Sequence, residues 1–370
     1  MNRDLEYKIG LAMTQGVTVE VIEALTECGI SYEEFFTLGM SELSQRLPGV
    51  QSRFQDLYRQ EALFRARREI EFIERHHIRA LYYEDDDYPV MLREIPDAPV
   101  LIYVLGDADL NSHPVMNMVG SRKPTNYGTS FCSKLIDDLA AYFHNLTVVS
   151  GLAYGIDTCA HTAALEHNLP TIAVVAHGLD MIYPAANRDL ASRIVRSGGA
   201  IVSEYPTGTR PFRSNFLERN RIVAGLSELT FVVESEVKGG AMSTANQAFS
   251  YSRDVFALPG RINDQMSQGC NHLIMRQKAQ IYTNVADLMR YMGWVPEVLK
   301  ALPKEKNLFP ELDGDQALVY EFMRTQSGAV AIDTIHRNVG ISMPALMSAL
   351  TELEFEGILS KLPGARYEKA

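Results

Sequence analysis

The sequence predicts an α/β protein built on a mainly parallel sheet, with a small helical domain before it and a winged-helix-like domain after it. Two observations carry this reading. Residues 80–295 hold a series of apolar runs, VLIYVLG, VMNMVG, TVVSG, TIAVVAHG, AIVSEY, LTFVVE, DVFALPG and AQIYT, most of which end in a turn signal. Amphipathic helical patterns separate most of these runs, as in TSFCSKLIDDLAAYF, where Phe131, Leu135, Leu139 and Phe143 recur at helical spacing. Continuous apolar strands between such helices mark a parallel sheet covered on both faces.

Bulk properties bound the rest. A chain of 370 residues has room for two or three domains, one with a substantial core. At 46% hydrophobic and 22% charged, its composition is that of an ordinary soluble protein. No run of apolar residues is long enough to span a bilayer, and the start MNRDLEYKIG lacks an apolar signal region. A cytoplasmic location without a membrane partner is therefore the expectation. Cys28, Cys132, Cys159 and Cys270 lie far apart with no CxxC pair, so neither disulfides nor a cysteine zinc site is expected. A net charge of −11 and a pI near 5.4 exclude broad attraction to DNA, so any nucleic-acid contact needs a local patch.

Residues 1–78 read as a helical domain of the SAM-like or helix-hairpin-helix kind. The fragment LPGV (Leu47 to Val50) resembles the turn of a helix-hairpin-helix, which can offer N–H groups to a phosphate; simple packing is the plainer reading. Arg65, Arg67, Arg68 and Arg75 are interleaved with Glu69, Glu71 and Glu74, which suggests a solvated helix face more than a basic patch.

Residues 79–295 form the sheet-bearing domain. In doubly wound sheets, ligands bind at the carboxyl ends of the strands near the topological switch point. Three small-residue turns fall at such ends: Gly120-Ser121-Arg122, Ser150-Gly151-Leu152-Ala153, and Gly239-Gly240 with Ser243 and Thr244. Each leads from a strand towards a helix whose free N–H groups suit an anion.

The fourth segment is PTGTRPFRSNFLERNR (206–221), where Arg210, Arg213, Arg219 and Arg221 stand against the single acid Glu218. Phe212 and Phe216 are interleaved with those arginines, and Asn215 and Asn220 add amide donors. Cations hold a phosphate backbone and aromatic faces stack on unpaired bases, so this stretch reads as a track for single-stranded nucleic acid. A solvated helix start with two core phenylalanines is the plain alternative, and the glycine turns argue against it.

Several chemistries are missing. The sequence contains no GxxxxGK[ST], GxGxxG, HExxH or GxSxG motif, and its histidines show no metal-ligand spacing. His161 beside Asp157 could be read as a base, but no activated nucleophile lies nearby, so a packed histidine is favoured. No cofactor, metal or catalytic residue is expected.

GSRKPTNYG, SGLAYGIDTCAHTAAL, TIAVVAHGLDMIYPAANRDL, SEYPTGTRPFRSNFLERNRIVAGLS and VVESEVKGGAMSTANQA together resemble the DNA-processing protein A family (DprA, also called Smf) in motif order. The resemblance implies an extended Rossmann core that binds single-stranded DNA without sequence preference, protects it, and helps load the RecA recombinase during natural transformation. It also implies a homodimer formed through the carboxyl-terminal part of the core. Carried over residue by residue, it assigns the DNA site to Gly120, Ser121, Arg122, Gly151, Ala153, Arg213, Asn215, Phe216, Arg219, Asn220, Arg221, Gly239, Gly240, Ser243 and Thr244. Arg213 stands where the family often has lysine, a change that keeps the cation and adds bidentate capacity. The apolar residues Leu273, Ile274 and Ile281 of QGCNHLIMRQKAQIYTN are the expected two-fold interface.

A linker, PEVLKALPKEKNLFP (296–310), precedes residues 311–370, which read as three helices and a hairpin in winged-helix order. This block holds nine acids against five bases, and its would-be recognition helix carries Ser342, Ala345, Ser348 and Ala349 but no Lys or Arg. Such a surface repels phosphates, so a protein-interaction or regulatory module is favoured over DNA binding. Two other readings remain: a nucleotide-binding or nucleotide-hydrolysing Rossmann enzyme, and a transcription regulator acting through the winged domain.

Overall fold

Apolar residues at helical spacing fold the start of the chain into α1 (Arg3–Met13), α2 (Val19–Glu27), α3 (Tyr32–Thr37), α4 (Met40–Arg46) and α5 (Asp56–Arg75). The computed structural model describes residues 3–47, 56–296, 312, 314–326, 328–355, 357–362 and 365–369. α3 begins at a capping box: Ser31 Oγ accepts from the Glu34 N–H while the Glu34 carboxylate accepts from the Ser31 N–H. Ile9, Ile22, Leu25 and Phe35 are sealed from solvent, and their cluster runs on into Tyr82, Leu101 and Tyr103 of the sheet. The helices therefore rest on the edge of the sheet through a shared apolar core. Of the LPGV fragment, Leu47 is buried and residues 48–50 lie outside the described residues, as does the linker beyond Pro296.

The sheet has nine strands: β1 (Arg79–Tyr82), β2 (Leu101–Gly106), β3 (Val115–Val119), β4 (Thr147–Ser150), β5 (Thr171–Val174), β6 (Ala200–Ser203), β7 (Leu229–Val232), β8 (Asp254–Ala257) and β9 (Gln280–Ile281). Their order is β1-β2-β6-β5-β4-β3-β7-β8-β9. From β6 across to β9 all pairs are parallel, while β1 and β2 add an antiparallel flank. β3 through β7 are buried along their whole length, as strands covered on both faces must be. β1 has no counterpart among the apolar runs, because only two of its four residues face inward.

On one face, α7 (Asn126–Ala140), α8 (Ile156–Glu166), α9 (Arg188–Arg196) and α13 (Val285–Met292) pack over Met116, Val148, Ala173 and Phe231. On the other, α6 (Val90–Arg93), α10 (Arg213–Gly225), α11 (Gly240–Ser250) and α12 (Gln268–Met275) cover Val119, Val149 and Val255. Asn117, fully buried in β3, donates to Thr230 Oγ1 at 2.7 Å and to the Val223 carbonyl at 3.3 Å. That amide ties β3 to β7 and to α10. The chain runs β3-β4-β5-β6 to one side and then places β7 on the other side of β3, so the switch point lies between β3 and β7.

The expected two-fold contact needs a correction. α12 turns Leu273 into the core at 1% exposure, with Ile274 half-buried against the same cluster. Leu273 is thus spent on packing within its own chain. Ile281, on the edge strand β9, is exposed.

Residues 301–370 make a separate unit. It contains α14 (Gly314–Arg324), α15 (Ile332–Val339) and α16 (Met343–Phe355), with a three-stranded sheet of β10 (Val330–Ala331), β12 (Arg366–Lys369) and β11 (Leu359–Leu362) in that order. Val319, Ile335, Leu346, Leu350 and Tyr367 form its core. Three helices with a carboxyl-terminal hairpin are a winged helix.

Phe231 is fully buried in the central strand β7, with the rings of Phe131, Phe256 and Tyr282 around it. Phe231→Ala should cost about 3–5 kcal/mol by leaving a cavity the neighbours cannot fill. A urea unfolding midpoint unchanged from wild type would refute this placement of the core.

Candidate nucleic-acid interface

The loops at the carboxyl edge of the sheet hold most of the predicted residues, and close packing explains their glycines. Gly120 follows β3, and a Cβ there would lie 2.6 Å from Ile156. At Gly155, which starts α8, φ is +80° and a Cβ would meet the Ser121 carbonyl at 2.2 Å. The turns after β3 and β4 are therefore pressed together, and the Ile156 N–H donates to the Ser121 carbonyl at 3.1 Å. Ser121 Oγ accepts from the Lys123 N–H at 3.0 Å, leaving Arg122 projecting into solvent.

Arg122 does not project alone. Its guanidinium lies 5.3 Å from the centroid of the half-buried Phe216 ring, whose other neighbour is Tyr183 at 5.8 Å. The loop after β5 holds Tyr183 in place: its N–H donates to His177 Nε2 at 3.1 Å, so His177 Nδ1 carries the proton and donates to the Gly178 carbonyl. Burial keeps that imidazole below its ordinary pKa. Phe216 sits in the first turn of α10, next to exposed Arg213 and behind Phe212, which is 61% exposed. No side chain caps α10, so its first N–H groups have no capping partner beside exposed Arg213. Asn215 folds back, with Nδ2 near the Ala176 and Arg210 carbonyls at 3.5 and 3.4 Å.

The rest of that arginine-rich stretch behaves differently. Arg219 is 4% exposed, and its Nη1 donates to the Gly151 carbonyl at 2.9 Å and to the Val174 carbonyl. Its charge faces Asp157, whose carboxyl is pushed up by burial and drawn back by the guanidinium and by the Ala153 N–H at 3.3 Å. Gly151 is required here, since a Cβ would come within 2.4 Å of Nη1. Arg221 is paired with Glu204 and lies 4.0 Å from Asp97. Arg219 and Arg221 are therefore corrected from ligand cations to internal braces, because both are largely buried and their charges are met by Asp157 and Glu204 inside the fold. Arg219 Nε and Arg221 Nη1 nonetheless have no hydrogen-bond partner among the described residues. Thr244 is corrected likewise, being 2% exposed within α11. Asn220 Nδ2 reaches the Gly240 carbonyl at 3.5 Å and joins α10 to α11.

Gly239 and Gly240 open α11, again without a side-chain cap. Gly239 lies close to Ser235 Oγ, and Gly240 has open space around it. α7, by contrast, is capped by a side chain. Thr125 Oγ1 accepts from the Gly128 N–H, and Glu234 accepts from both the Thr125 N–H at 2.8 Å and its hydroxyl at 2.6 Å. A buried carboxylate thus fills the helix start that lies at the switch point.

The outward set is then Ser121, Arg122, Ala153, Arg213, Asn215, Phe216, Gly239, Gly240 and Ser243, all exposed or half-buried around one edge. Tyr183 and Tyr154, 42% and 49% exposed, extend this set. Both lie in quoted motifs, and for Tyr154 an aromatic beside a glycine turn was the signal that could have found it. His161 is sealed from water, bonded to Thr171 Oγ1 at 2.7 Å and pushed down to about 3 by burial, so it is a neutral core imidazole. No group of residues suited to a metal exists among the described residues, and no described helix is long and apolar enough to cross a membrane.

Residues 79–293 match the family model for DNA recombination-mediator protein A, and residues 303–365 match the DprA winged helix domain. The Smf protein of Synechocystis sp. is 34% identical over 317 residues, which cover 77% of this chain and 79% of that protein. The X-ray structure of DNA processing protein A from Streptococcus pneumoniae superimposes with a TM-score of 0.64 at 34% identity, over 77% of this chain and 97% of that one. DNA processing protein A from Helicobacter pylori, whose structure addresses a single-stranded DNA binding mode, gives a TM-score of 0.52 at 30% identity over 58% and 95% of the two chains. With the model covering more than half of its length and relatives matched over most of theirs, this chain belongs to the DNA recombination-mediator protein A family.

Proposed function

We propose that this protein binds single-stranded DNA without sequence preference, shields it, and helps load the RecA recombinase during natural transformation. One observation carries the binding step: Arg122 and Arg213 flank a Phe216 ring that belongs to no core cluster, beside the uncapped start of α10. Cations for phosphates and a ring for a base are the pair that sequence-independent recognition of an unpaired strand needs. The H. pylori relative, with its single-stranded DNA binding mode, supports the reading. RecA loading and a role in transformation rest on the family resemblance.

The reading as a nucleotide enzyme finds less support. Glu234 occupies the helix start where a Rossmann fold would hold a phosphate, and His161 is buried and neutral. For the winged domain, a protein-interaction role in the cytoplasm fits its acidic balance. A homodimer with Ile281 of the exposed β9 edge near its interface would place two DNA tracks in one particle.

Four outcomes are expected. Arg213→Ala should weaken binding equally across sequences and flatten the salt slope by about 0.7, whereas Phe216→Ala should cost about 1–3 kcal/mol with the slope kept. Fluorescence titrations at several salt concentrations read both; an unchanged slope for Arg213→Ala, or a large drop in melting temperature for Phe216→Ala, would overturn the assignment. Truncation after Pro310 should leave single-stranded DNA affinity within about threefold, or ~0.7 kcal/mol, and a tenfold loss in a gel shift would show the winged domain on the DNA. Light scattering should report a dimer at micromolar concentration; a strict monomer would remove the two-track particle.

A further inference from the structure

α5 carries a row of cations that the site above does not use. Arg65, Arg68 and Arg75 line a cavity of about 510 Å³ together with Phe72, Thr207 and Gly208. All three arginines are exposed, and none forms a salt bridge among the described residues, whereas their neighbour Arg67 is paired with Glu6 at 2.7 Å. Phe72 presents a half-buried ring among them, and Phe64, 62% exposed, continues the stripe by helical spacing. Arg65 and Arg75 are separated by about 15 Å of helix axis. This is the cation-and-ring chemistry of the α10 track, repeated on the amino-terminal helices.

The two surfaces are joined by the loop that carries the track. Thr207 is gripped by Glu69 of α5, whose carboxylate accepts from the Thr207 N–H at 3.1 Å and from its hydroxyl at 2.6 Å. Asp180 accepts from the Gly208 N–H at 3.1 Å. Arg210, Phe212 and Arg213 follow within a few residues. Two of the three acids lining the cavity, Glu69 and Asp180, are thus turned onto backbone amides, and Glu71 is the remaining one.

We infer that the single strand bound at α10 continues across the Thr207–Gly208 loop onto α5, where Arg65, Arg68 and Arg75 take its phosphates and Phe72 borders its bases. This inference rests on the single-stranded DNA reading of the α10 site and extends that site by a second segment. The partner is the same unpaired strand: the cations sit on one ~15 Å helix row with rings beside them, which suits a flexible backbone with splayed bases.

The test compares oligothymidylates of about six and about 25 nucleotides, one within and one beyond the roughly 4–16 nucleotides a single binding fold covers. The full chain with Arg65→Gln, Arg68→Gln and Arg75→Gln together should bind the long oligomer about tenfold or more weakly, with a salt slope lower by about 2. It should bind the short one as wild type does. The three arginines are exposed, so the melting temperature should hold, and replacing all three with lysine should restore long-oligomer binding to within about threefold. Glu71→Gln should act in the opposite direction and tighten the long oligomer. Wild-type affinity of the triple glutamine variant for the long oligomer would overturn the inference, and so would a loss confined to duplex DNA. If Arg213→Ala still weakens both oligomers in that case, the primary site stands without the extension. A wild-type protein that binds neither oligomer would overturn both.

Discussion

A buried guanidinium at the carboxyl edge of the sheet sets the positions of nearly everything at the site. Arg219 ties the carbonyl ends of β4 and β5 to α10 and faces Asp157 at the start of α8. A charge so enclosed is tolerated because carbonyl oxygens and a carboxylate receive it; removing one partner would strand the other, at a cost of about 3–5 kcal/mol. Arg213 and Phe216 lie within two turns of it on the same helix, so their direction into solvent is set by a residue that never meets solvent. The narrow space at Gly151 comes from the same brace.

Local charge then does what net charge does not. The chain is acidic as a whole, yet the outward donors around α10 and α11 are cations and uncapped helix starts. Acidic partners are kept inside or along the walls: Glu204 with Arg221, Glu69 with Thr207, Glu234 with Thr125. On an acidic body, a local patch of this kind draws an anionic ligand only where the patch lies.

Much of this was legible in the sequence. The strands β3 to β8 were readable because a parallel sheet buried on both faces needs unbroken apolar runs, and β1 was not, because an edge strand with two polar-facing residues leaves no such run. In residues 206–221, charge interleaved with rings marked an outward half, Arg213 and Phe216, that the fold leaves exposed or half-buried. The inward half was misread because residue type records charge and not the partner: Arg219 and Arg221 look like Arg213 until Gly151, Val174 and Glu204 are placed beside them. Leu273 and Thr244 failed for a related reason, since helix phase decides which side is covered, and short helices of small residues give that phase weakly. The α5 arginines were read as a solvated face from their interleaved acids; only the fold shows that Glu69 is turned away onto a loop.

Glu234 has a consequence for the α7 helix start. Its carboxylate is part of the chain, so it faces the α7 helix start at an effective concentration set by its own backbone, on a scale that dissolved mononucleotides would have to exceed to displace it. A helix start that Rossmann folds use to hold a phosphate is here filled from within, by a side chain of the same chain.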